Sequence, residues 1–177
     1  GETSDYGGDA GFLQTAFTES ARKLIADTTV DNSAASTNPA SNPNLWSGGN
    51  NPYVYDNTTD KVFLLSIQEA ARYFPTTEER KCSGTPYAKE MDAYIQGITR
   101  NCWWWLRSPG NRQDLSAVVS YGGGAGANGS SVRHDIGAVR PALKTNIINP
   151  PVGEKFSALG NRWIVIDDGI AISEDVI

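Results

Sequence analysis

The chain has 177 residues, 39% hydrophobic and 20% charged, a balance that suits one folded domain with its own core and excludes a disordered segment. A net charge of −5 at pH 7 leaves no basic face for phosphates, which argues against a nucleic-acid partner. No apolar stretch approaches the roughly 20 residues of a membrane span, and no block of like charges reads as a surface anchor.

Phe12 to Val30 reads as helical over most of its length, with Phe12, Leu13, Ala16, Phe17, Leu24 and Ile25 near one face and a fresh turn starting at Thr18-Glu19. Residues 31–60 form a long polar loop rich in Asn, Ser, Thr, Pro and Gly, with Trp46 and Tyr53-Val54-Tyr55 as its only apolar anchors. Lys61–Leu65 is a short buried strand. Ser66 with Glu69 three residues on is a capping box for a helix over Ile67–Phe74, and Pro75 ends it. Thr85 before Pro86 predicts a further helix over Tyr87–Tyr94.

After Gly97 the pattern turns to strands. Cys102–Leu106 and Leu115–Tyr121 are the clearest, separated by Ser108-Pro109-Gly110 and followed by three glycines, Gly122 to Gly124. Ser131–Arg133 and Ala138–Arg140 are read as short strands about a turn, with Pro141 at an edge or bulge. Residues 154–177 carry a terminal hairpin, Arg162–Ile166 and Ile170–Ile172 about Asp167-Asp168-Gly169.

Cys82 and Cys102 are the only cysteines and His134 the only histidine, so a zinc site would lack its usual ligands. The cysteines admit two readings, a disulfide or two buried thiols. A disulfide would close a loop of about 20 residues, contribute about 3 kcal/mol and fit an extracellular setting.

The run Trp104-Trp105-Leu106-Arg107-Ser108-Pro109-Gly110, followed by Val139-Arg140-Pro141-Ala142-Leu143, resembles a large bacterial family of uncharacterised, mostly exported domains. Asp60–Ser66, Tyr73-Phe74, Arg80-Lys81-Cys82 and Thr85–Lys89 extend the likeness over residues 12–146. The Gly137–Pro141 phrase is in turn similar to the C-type-lectin-like fold of formylglycine-generating enzymes and of the variable proteins of diversity-generating retroelements. The resemblance implies one α+β domain over 1–177, with short helices around a twisted antiparallel sheet, secreted or at the cell surface. Family members open with a hairpin like the one that here stands at the end. The expectation is a circular permutation, with the tail hairpin filling the N-terminal strand position; the alternative is that it starts a further repeat.

Catalysis finds little footing. His134 lies too close in sequence to Asp135 for a designed dyad, and no Gly-x-Ser-x-Gly elbow is present. Cys82 and Cys102 precede the tryptophans, unlike the reactive pair of formylglycine-generating enzymes. The loop and strand motifs of calcium-dependent lectins are missing, so no cofactor is expected, although backbone carbonyls alone can hold calcium without leaving a motif. On a strand, Trp103 and Trp105 share one face and Trp104 takes the other. The family motif nonetheless marks Trp104 and Trp105 as core, with Arg107 and Arg140 bonding carbonyls or carboxylates. In retroelement variable proteins the matching stretch is the ligand face. By that analogy the binding candidates are Asn111, Arg112, Gln113 and Asp114, then Tyr121, Asn128 and Ser130, then Arg133, His134 and Asp135. The expected function is a non-catalytic recognition module for a glycan or surface protein. The rival is a structural repeat of a larger bacterial surface protein.

Overall fold

The computed structural model describes residues 11–38, 55–145, 151–158, 161–167 and 170–175. Phe12–Val30 is not one helix. Helix α1 spans Phe12–Ala16, Phe17 is extended, and Thr18 opens α2, Glu19–Arg22, by accepting the Ala21 N–H at 3.3 Å. Leu13, Phe17, Ala21 and Ile25, spaced by four, still make one buried stripe. The helical pattern then gives way to Thr28-Thr29-Val30, whose branched side chains favour extended backbone. These residues form β1, paired antiparallel with β2, Thr58–Asp60. The long loop holds one helical turn at its start, α3, Ala34–Thr37. Trp46, Tyr53 and Val54 lie outside the described residues.

Only Val62–Phe63 of the predicted Lys61–Leu65 strand is paired, as β3. Helix α4, Ile67–Tyr73, starts as expected: Ser66 Oγ accepts the Glu69 N–H at 3.1 Å and Glu69 Oε2 accepts the Ser66 N–H at 2.8 Å. A second capping box, Thr76 with Glu79, opens α5, Thr77–Arg80. Helix α6, Pro86–Glu90, stops short of the expected Tyr94 because the chain turns at Asp92, which adopts a φ of 59°.

Two antiparallel sheets carry the core. The first, of three strands, runs β4 (Trp104–Pro109), β5 (Leu115–Val119), β6 (Ala125–Ser131). Strand β6 had no counterpart in the sequence reading, and Val132-Arg133 belongs to the turn after it. Ala138 makes a single parallel bridge to Trp104 in place of the expected strand. The second sheet has five strands in the order β3, β7 (Ala142–Lys144), β10 (Ile170–Ser173), β9 (Asn161–Asp167), β8 (Lys155–Ala158). Pro141 stands just before β7, where its missing N–H costs nothing.

The terminal hairpin is therefore docked within its own chain. Strand β10 pairs with β7 on one side and β9 on the other. One apolar cluster joins α4 and the three-stranded sheet to Ile166 and Ile172. A second packs Leu13, Phe17 and Ile25 against Leu143, Trp163 and Ala171.

Candidate functional site

The three-stranded sheet has two unlike faces, set by the alternation of its strands. Trp104, Val119 and Ala125 are in register and wholly buried on the inner face, and Trp104 Nε1 donates to the Arg80 carbonyl at 3.1 Å. Trp105, Val118 and Gly126 are in register on the outer face, and all three are half-buried. Trp103 shares that face. Its ring meets Trp105 edge-on at 4.9 Å between centroids, and His134 stands across it at 6.5 Å. The assignment of Trp105 to the core is thus corrected: only Trp104 of the two motif tryptophans is interior, as strand parity requires.

Gly137 holds this outer pair in place. A Cβ there would fall 2.1 Å from Trp105 Nε1 and 2.5 Å from Trp103, so the indoles lie directly on bare backbone. The glycine of the Gly137–Pro141 phrase is explained by that close approach.

The predicted polar residues divide into three groups. Near the turn between β4 and β5, Asn111 donates through Nδ2 to Asn128 Oδ1 at 3.2 Å. There Arg112 grips Asp114 through Nε and Nη2 at 3.0 and 2.8 Å, and its hydrogen bond holds the Asp114 carboxyl below the usual range. Gln113 is exposed in the same turn. Beside the tryptophans, Ser130 Oγ and His134 Nδ1 lie 2.8 Å apart, with Arg133 and Asp135 exposed on the same turn. The Ser130–His134 contact spans four residues on an exposed turn, a local bond that shapes the loop. Tyr121 lies beyond the other end of β5 from Asp114. It packs on Tyr94 at 6.3 Å instead. Tyr94 in turn neighbours Trp103, because Ile95 bridges Cys102. Tyr94, which the sequence marks only as the end of a predicted helix, is not among the binding candidates, and nothing in its local sequence points to this contact.

The motif arginines bind protein groups. Arg107 pairs with Glu69, donating to Oε1 at 2.9 Å and also to Oε2, and reaches the Leu64 and Asp31 carbonyls at 2.9 Å each. Arg140 is buried over the Phe74 and Trp104 rings and donates to the Ser173 carbonyl at 3.0 Å; burial lowers its pKa. Cys82 and Cys102 are two buried thiols, not a disulfide. Cys82 Sγ donates to the Glu174 carbonyl at 3.2 Å, and burial pushes the Cys102 thiol up.

Beyond the Arg107 end of β4 opens a cleft of about 660 Å³ with Phe12, Val30, Phe63 and Val139 in its walls. Among the described residues, no group of three or more His, Cys, Asp or Glu is placed to hold a metal ion. Among the same residues, no helix is long and apolar enough to cross a membrane.

Residues 9–147 match the family model described as a domain of unknown function (DUF6273), and the chain belongs to that family. The matched stretch contains the whole three-stranded sheet and ends before β8. No curated protein and no solved structure matches the chain.

Proposed function

We propose that this domain is a C-type-lectin-like recognition module, displayed outside the cell and not itself catalytic, which binds a glycan on the outer face of β4–β6. The carrying observation is the Trp103–Trp105 pair, half-buried on a sheet face and seated on Gly137. An indole offers a flat apolar surface to the C–H face of a sugar ring and costs little entropy to hold still. Ser130 and His134 beside it, with Asn128 toward the β4–β5 turn, supply the hydroxyl, imidazole and amide groups that sugar hydroxyls need. Short helices around antiparallel sheets support the lectin-like reading. The in-chain docking of β9 and β10 supports the permuted arrangement over a hairpin shared between repeats.

The test is a broad glycan array probed in calcium and again in chelator. Reproducible binding of one glycan class, unchanged by chelator, is expected. Trp103→Ala with Trp105→Ala should weaken it at least tenfold while the chain stays folded by circular dichroism. If the double variant binds as the parent does, the outer face is not the site. An empty array would favour a protein ligand or a purely structural repeat.

A further inference from the structure

The two cysteines are placed for more than core packing. Ser83 and Asn101 form an isolated antiparallel bridge, closed by Cys102 N–H to Cys82 O at 2.8 Å and Gly84 N–H to Arg100 O at 3.4 Å. Continuing that register by one residue sets Cys82 directly opposite Cys102, in a hydrogen-bonded pair position. Cα atoms in such a position lie about 5.5 Å apart. Disulfides span Cα separations of about 4.4–6.8 Å but need Cβ atoms about 3.5–4.5 Å apart, so the register puts the two cysteines within a small strand shift of the spacing that the bond requires. Both side chains belong to the same buried cluster.

Their present orientations keep the sulfurs apart. Cys82 Sγ is turned to the Glu174 carbonyl, an acceptor it shares with Arg140 Nη2 at 3.4 Å. Cys102 Sγ leans toward Gly84, where a Cβ would come within 2.8 Å of it. Rotation of the two side chains and a small approach of the strands, still in register, are the movements that remain.

We infer that Cys82 and Cys102 are a reversible dithiol–disulfide couple, closing within the chain when it meets a small-molecule disulfide. The Cys82 thiolate attacks one sulfur of oxidised glutathione and releases one glutathione thiolate. The Cys102 thiolate then displaces the second, forming the Cys82–Cys102 bond. Two electrons pass to the oxidant, and the two protons lost by the cysteines end on two molecules of reduced glutathione. Closure withdraws Cys82 from Glu174 at the end of β10 and ties down the residue preceding Trp103.

The test uses the full chain, reduced and then incubated with oxidised glutathione without denaturant. Alkylation after acid quenching and unfolding, followed by intact mass, reads the result. A monomer about 2 Da lighter, with no alkylated thiol and restored by dithiothreitol, is expected. Cys102→Ala should instead stop at a glutathione adduct on Cys82. If that variant does not fold, the mass of the parent chain decides alone. Two thiols that stay alkylatable in the folded chain, closure only after denaturant is added, or cross-linked chains would each overturn the inference.

Discussion

Three consecutive tryptophans have three different jobs, and the difference is positional. Trp104 is fully enclosed, hydrogen-bonded through its indole N–H, with the Arg140 guanidinium 5.3 Å from its ring. Truncating it leaves a large cavity and orphans the Arg80 carbonyl. Trp104→Ala is expected to cost about 3–5 kcal/mol in urea denaturation. Trp105→Ala, on the half-open face, should cost markedly less; equal losses would put Trp105 back in the core. The alternation that separates these side chains is visible in the sequence. The family motif pulled Trp105 to the wrong side because a motif marks which residues recur and not which way each one points. Arg107 and Arg140 were legible as binders of carbonyls and carboxylates, since a cation among apolar neighbours must find such partners. Their actual partners, Glu69 and the carbonyls of Ser173 and Glu174, come from distant segments and left no local trace.

At the scale of elements, punctuation was readable and length was not. Ser66 with Glu69 and Thr85 with Pro86 start helices where side-chain chemistry says they should. The end of α6 depends on a left-handed residue, Asp92, that no rule based on apolar spacing anticipates. Strand β6, Ala-Gly-Ala-Asn-Gly-Ser-Ser, lacks the branched and aromatic residues that mark strands. It exists because β5 offers an unpaired edge and because small residues fit where Gly129 and Gly110 pass close to each other. Helix α5 offers a test of capping. Thr76 donates to Glu79 and holds its carboxyl below the ordinary value of 4.5. This contribution is whole above about pH 4.5 and fades as pH falls through the lowered value. Glu79→Gln should therefore flatten the acid side of the thermal-midpoint curve. An unchanged curve between pH 5 and about 3 would show that the cap contributes nothing.

Across the whole molecule, the family-matched stretch does not complete its own core. Trp163 and Ile166 of β9, with Ala171 and Ile172 of β10, are buried in the two apolar clusters that residues 9–147 begin. The Tyr73 hydroxyl reaches Asp167 at 3.0 Å across the same junction. Deleting residues 151–177 should uncover the edge of β7 and leave a chain without cooperative urea unfolding or near-ultraviolet dichroism. A truncated chain that melts like the parent would make the hairpin an appendage. The hairpin itself was plain in the sequence. Its place between β7 and β8 was not, because pairing over such a distance is decided by which edge remains vacant.

That placement also sets an order of events. The strand at the middle of the larger sheet is the last of that sheet's five in chain order. Until Ile170–Ser173 has left the ribosome, β7 has no neighbour on one side, and β9, which brings Trp163 to the apolar stripe of α1 and α2, has no strand joining it to β7. Contacts that far apart along the chain close slowly, since the intervening loop must be gathered first. The larger sheet thus stays open until β10 is made, and its assembly waits on that late step.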